Sequence, residues 1–175
     1  DVYKRQAVAC SARPCSDRVM DCNSIPWRNI AYTGGLTQRQ GLSSMHTLDQ
    51  LRSGQLKGIS RLDLCASLTQ FPEEIFTLAD SLEVLNLSGN QLNDLPADLH
   101  RLQRLQVLFC SENRFEHVPE SVGRCPSLRM VGFKSNRIRE LSAKALPARL
   151  RWLILTDNCL QTLPDELGDC TDLQK

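Results

Sequence analysis

Eight cysteines, three histidines and twenty carboxylates are the side chains of this 175-residue chain that could carry chemistry. Nucleophilic catalysis needs a Cys or Ser held against a His that a third group orients. A structural zinc site needs four Cys or His ligands at short, paired spacings. Neither pattern is in the sequence. Cys10, Cys15 and Cys22 crowd the N-terminal stretch without a fourth ligand or a matching His, and Cys65, Cys110, Cys125, Cys159 and Cys170 form no CxxC pair. His46, His100 and His117 bear no repeated relation to any Ser or Cys. Asp63, Glu73 and Glu74 read as solvated surface rather than as paired catalytic acids. No glycine-rich phosphate loop appears, since Gly89 in Ser88-Gly89-Asn90 belongs to a turn. The expectation is therefore no enzyme activity in this chain, no metal and no cofactor.

What positions these residues is a repeat. From Leu82 the chain reads LEVLNLSGNQLNDLPADLHRL, and related runs open at Leu105, Leu128 and Leu150, with Leu173 beginning another. The starting leucines are 23, 23, 22 and 23 residues apart. A period of this size marks stacked units, each too small to fold alone. The opening LxxLxL alternates as a strand does: Leu85 and Leu87, Leu108 and Cys110, Val131 and Phe133, and Leu153 and Leu155 point inward. Stacked copies pair as a parallel sheet, whose buried face takes branched apolar residues. Asn90, Asn113, Asn136 and Asn158 follow at a constant offset, where an amide turned inward can bond backbone groups left unpaired as the chain leaves the strand. Leu95-Pro96, Val118-Pro119 and Leu163-Pro164 then start a return segment, with proline fixing φ. From it Leu99 and Leu102, Val122 and Cys125, and Leu167 and Cys170 face inward, the cysteines acting as small hydrophobes.

This pattern resembles the leucine-rich repeat family over roughly residue 59 to the end. The resemblance implies an α/β solenoid: a horseshoe with short parallel strands on its concave face and short helical, 3-10 or irregular segments on its convex face. About five repeats are expected over residues 59–175. The first is atypical, with Ser67 in the Asn slot and Phe71-Pro72 one residue early, as suits a terminal unit. The fourth lacks one residue and has Ser142 in place of the proline, which reads as a locally different convex segment. Residues 45–58 read as an N-terminal cap: Thr47 and Gln50 have the spacing of a capping box, Leu48 and Leu51 give a short helix its apolar side, and Gly54 and Gly58 close it.

Residues 1–44 match no repeat. Asp1 to Gln6 are a literal translation of GATGTGTATAAGAGACAG, a sequencing-adapter string, so this leader is expected to be non-native and disordered, with Met45 the natural start. Ala7-Val8-Ala9-Cys10 is a loose lipoprotein cleavage box without its apolar run, the lesser alternative. The leader carries six Lys/Arg against three Asp/Glu, and the remainder 15 against 17. A slightly acidic repeat body does not suit nucleic acid. No segment approaches the roughly 20 apolar residues of a membrane span. Stopping inside a strand, the chain reads as truncated and frayed at its C-terminus. Extracellular members of the resembling family open with a CxC disulfide cap that is missing here, which implies a reducing cytoplasm.

The outward strand positions carry the functional reading. Val84, Val107, Met130 and Trp152 at the third position, and Asn86, Phe109 and Ile154 at the fifth, line the expected concave face. Polar residues suffice in those slots, so an apolar strip there reads as a contact surface, with Trp152 and Phe109 as anchors and Arg129, Lys134, Arg151 and Asp157 beside it. The expected function is a protein-interaction scaffold, its partner a separate protein or a missing C-terminal domain of the same chain. From Met45 onward the runs MHTLDQLRSGQLKG, SLEVLNLSGN, FCSENRF, MVGFKSNRI and RWLILTDN resemble bacterial cytoplasmic proteins in which leucine-rich repeats precede a protein-kinase-like domain. That resemblance implies a regulatory N-terminal arm as the alternative. None of the kinase motifs has a counterpart here, so no catalytic residue carries over.

Overall fold

The computed structural model describes residues 45–174, and the reading of residues 1–44 as a leader lies outside them. Within that span the chain climbs through five strands of three residues each. These are β1 (Arg61–Asp63), β2 (Val84–Asn86), β3 (Val107–Phe109), β4 (Met130–Gly132) and β5 (Trp152–Ile154). They form one parallel sheet in sequence order. Equivalent repeat positions are in register: Leu62 faces Leu85, Leu85 faces Leu108, Leu108 faces Val131, and Val131 faces Leu153. The middle residue of each strand turns into the stack, and Leu62, Leu85 and Leu108 have no exposed surface.

Each strand is followed by a turn and a return along the opposite side. The returns contain 3-10 segments at Glu73–Leu78, Leu99–Arg101, Ala143–Ala145 and Asp165–Asp169, and a short helix, α2, at Glu120–Gly123. Pro72, Pro119 and Pro164 sit just before three of these in extended conformation, with ψ of 117°, 136° and 144°. A fixed φ and no amide to satisfy make proline a suitable entry to a short helical turn. Where the fourth repeat has Ser142 instead, its hydroxyl caps the turn by accepting from the Lys144 amide at 3.3 Å. Strand and return enclose a single core from Leu51 to Leu150, with Phe115 and Phe133 meeting edge to face at 4.9 Å. In the last repeat Leu153, Leu155, Leu160 and Leu163 are only partly buried against it.

The asparagine ladder closes the turns. Asn113 donates to the carbonyls of Leu87, Cys110 and Ser111 at 2.9, 3.2 and 3.0 Å and accepts from the Leu92 amide at 2.9 Å. Asn136 and Asn158 repeat the arrangement one and two units on. Asn90 accepts from two amides, Ala66 and Leu68, both at 3.0 Å, across the irregular first turn where Ser67 replaces the asparagine. Backbone donors and acceptors that water cannot reach are thus paired by side chains.

At the N-terminal flank, α1 (Leu48–Arg52) lies against the first return, where Arg52 donates to Glu74 at 2.9 Å. Thr47 and Gln50 exchange the two bonds of a capping box, and Leu51 is buried under the first repeat. His46 bridges to Leu64 as a one-residue extension of the sheet.

Candidate protein-binding surface

The concave strand positions divide into a polar end and an apolar end. At the polar end Arg61 holds Asp63 through two bonds, of 2.7 and 2.9 Å. Asn86, directly opposite Asp63 in the register, donates to the same carboxylate at 2.9 Å. The Asn86 side-chain oxygen accepts from the Ser88 amide, and the Ser88 hydroxyl accepts from the Ser111 amide, so the polar row runs on into the third repeat. Burial pushes the Asp63 carboxyl up, but the bonds from Arg61 and Asn86 outweigh it and hold the group below the usual carboxylate range. Asp63 is therefore not the solvated surface acid that its sequence suggested. It is only 5% exposed, because the parallel register sets Asn86 beside it and the Arg61 guanidinium pairs with both of its oxygens. His46 takes part as well, its Nδ1 accepting from the Asp63 amide at 3.2 Å.

The apolar end begins at β3. Phe109 faces Gly132 across the β3–β4 register, and a Cβ built on Gly132 would stand 2.7 Å from the Phe109 ring. The absence of a Cβ at Gly132 is what leaves room for the ring. Val107 and Met130, neighbours in the same register, are each 7% exposed and form a floor rather than a protruding ridge. Val84, Phe109, Trp152 and Ile154 are half-buried, and Asn86 is occupied by its polar network. Of the seven residues expected to make contact, four thus offer surface and three support it. Periodicity marked the positions, but it could not show that neighbouring strands would cover Val107 and Met130.

The remaining reactive side chains are scattered. His117 lies in an isolated bridge to Glu140, and His100 in the return of the second repeat. Among the described residues no group of three His, Cys, Asp or Glu could hold a metal ion. Cys110 and Cys125 are buried free thiols in leucine slots, and burial pushes the Cys125 thiol up to about 12 and Cys110 further still, so neither forms a thiolate near neutrality. Cys65 differs from the expectation of unpaired cysteines: it is disulfide-bonded, at a partly exposed position just after β1. Among the described residues no helix is long and apolar enough to cross a membrane.

One short strand per repeat in a single parallel sheet, a clasping asparagine at each exit and helical turns on the return define a leucine-rich repeat solenoid. Residues 81–102, the second repeat, match the Leucine Rich Repeat family profile. The chain is a leucine-rich repeat protein. It is similar to leucine-rich repeat-containing G-protein coupled receptor 5 of Rattus norvegicus, at 30% identity over 135 residues, 71% of this chain and 14% of that protein. It is also similar to probable serine/threonine-protein kinase pats1 of Dictyostelium discoideum, at 34% identity over 120 residues, 62% of this chain and 4% of that one. A solved leucine-rich repeat protein of Leptospira interrogans superposes with a TM-score of 0.59 at 32% identity, covering 65% of this chain and 29% of that structure. A plant peptide hormone receptor, RGFR1, in complex with RGF2 superposes with a TM-score of 0.56 at 29% identity, covering 71% and 21%. The chain therefore spans only a small part of each of these relatives.

Proposed function

We propose that this solenoid is a protein-interaction scaffold whose partner seats on the concave face over Phe109, Trp152 and Ile154. The observation that carries the reading is the contrast between the two ends of one face. Arg61, Asp63 and Asn86 show that equivalent slots fold with polar occupants, so the apolar row from β3 to β5 answers no demand of the repeat. Phe109, half-buried beside Gly132, offers an aromatic contact surface, and large aromatics at such positions dominate contact energies. Val84, Val107 and Met130 continue that surface, and Asn86 borders it. The solved plant receptor, described as bound to RGF2, gives a similar solenoid engaged with another molecule. The partner is a separate protein or a further domain of the same polypeptide.

The test is partner capture by the chain and by a Phe109→Ala/Trp152→Ala variant, followed by direct affinity measurement on whatever is recovered. Two lost hot spots predict roughly thirtyfold weaker binding or more, with the thermal melt retained. Equal affinity in a folded variant would remove the concave strip from the interface.

A second reading rests on the Dictyostelium kinase relative and on the resemblance to bacterial kinase-like proteins: the solenoid as the regulatory arm of a serine/threonine kinase-like enzyme whose catalytic part lies in another segment. In either case the proposal includes a cytoplasmic setting. It is supported by the free thiols of Cys110, Cys125 and Cys170, while disulfide-bonded Cys65 weighs the other way.

A further inference from the structure

Arg129 and Arg151 stand side by side on adjacent repeats. Each directly precedes a strand, β4 and β5, and the Arg151 amide donates to the Arg129 carbonyl at 2.8 Å. Together with Arg149 and Asp172 they line a hollow of about 270 Å³. Among the described residues none of these four side chains has a hydrogen bond or ion pair to another. The scaffold does not ask for cations there. The slots equivalent to Arg129 and Arg151 hold Ser60, Glu83, Gln106 and Gln174, and those equivalent to Arg149 and Asp172 hold Ser81, Arg104 and Ser127. Where opposite charges do occupy this edge, Arg104 and Glu83 approach to 3.9 Å. Like charges on neighbouring strands repel, and the single Asp172 carboxylate in the hollow cannot neutralise three arginines, so an external anion bound there would relieve the excess.

We infer that Arg129, Arg149 and Arg151 form a binding site for a phosphate monoester. Three guanidinium groups and one carboxylate leave the hollow with two net positive charges, which matches the charge of about −1.5 to −2 on a phosphate monoester near neutral pH. A single carboxylate would leave it half-neutralised. The planar guanidinium fork suits phosphate oxygens through paired, charge-assisted bonds. Arg149 and Arg151 are exposed and Arg129 half-buried, so binding weakens as salt rises. The phosphate comes from either of two sources, a phosphorylated protein side chain or a free small-molecule phosphate.

Calorimetric titration of the 175-residue chain at low salt tests the site, using inorganic phosphate, O-phosphoserine, glutamate, and pooled phosphopeptides beside their dephosphorylated forms. Saturable binding of phosphate and phosphoserine is expected. Arg129→Gln/Arg151→Gln weakens it roughly tenfold or more, and Asp172→Asn strengthens it. Arg124→Gln/Arg139→Gln, on exposed positions elsewhere, leaves it unchanged, as does Phe109→Ala, which separates this site from the concave strip. Tighter binding of the phosphopeptide pool than of inorganic phosphate assigns the source to protein, and the reverse order assigns it to a small molecule. Glutamate binding as tightly as phosphate, equal loss in the Arg124/Arg139 variant, or no saturation in a chain that melts cooperatively would overturn the inference.

Discussion

Glu112, Ser135 and Asp157 hold φ of 55°, 55° and 60° at the strand exit, the slot that Gly89 fills at 72° in the second repeat. A residue with a Cβ in the left-handed region carries a cost of roughly 1–2 kcal/mol. It is tolerated because the turn is clamped: the Glu112 amide donates to the Lys134 carbonyl at 2.8 Å, and the next residue is the clasping Asn113. Glu112→Gly should therefore stabilise the chain by about 1 kcal/mol, part of the relief being lost to the greater freedom of an unfolded glycine. A thermal melt reads this directly, and an unchanged or lower Tm would show that the turn is not strained at Glu112. The sequence marked Gly89 as a turn residue and the asparagines as buried clasps. It did not mark the left-handed slot, because Glu, Ser and Asp in that slot carry no common chemical signal. It also left Asp63 looking like a surface acid, since its burial depends on a residue 23 positions later.

At the scale of elements, strand placement was almost wholly legible. Each strand occupies the third to fifth positions of its repeat, where LxxLxL alternation puts it, and the proline pairs mark where the returns begin. The convex side was less legible, since short helical turns and 3-10 segments share one apolar spacing. Packing between returns carries a demand that periodicity cannot reveal. Gly123, in α2, faces the next return so closely that an added Cβ would lie 2.0 Å from the Lys144 carbonyl oxygen. That atom is backbone and cannot swing aside. Gly123→Ala should destabilise by about 1–3 kcal/mol, the usual range for overpacking, read as a lower urea midpoint at unchanged slope. A neutral substitution would mean that the two returns can separate without loss. Gly132 makes the parallel point on the concave side, because its partner there is the Phe109 ring and the nesting of the two joins residues a full repeat apart.

For the whole molecule, each repeat touches only its neighbours, so stability is a sum of units and interfaces rather than a single core energy. Burial is complete in the middle and declines in the last repeat: Leu85, Leu108 and Val131 are closed off, while Leu153 is partly exposed. Amide hydrogen exchange should follow that gradient, with β2 to β4 the slowest to exchange and β5 with the turn after Asn158 the fastest. Uniform protection along the stack would show that the chain opens all at once. Architecture at this scale was readable from the 23-residue period alone, whereas the binding surface was readable only as a set of positions. Depth and mutual covering decide which of those positions a partner could touch. The asparagine clasps have one more consequence, for how such a chain can be divided. Asn90, Asn113 and Asn136 reach back to carbonyls 26 residues earlier, so the turn of one repeat is finished by an amide belonging to the next. That reach exceeds the 23-residue period, so these bonds cross the seam wherever one repeat is divided from the next. Cuts placed just after each clasping asparagine would keep Leu92 with Asn113 and Phe115 with Asn136 in one unit, whereas cuts at the leucines would part those pairs as well. Shuffled or grafted repeats must in either case rebuild the longer bond with the asparagine of the incoming unit.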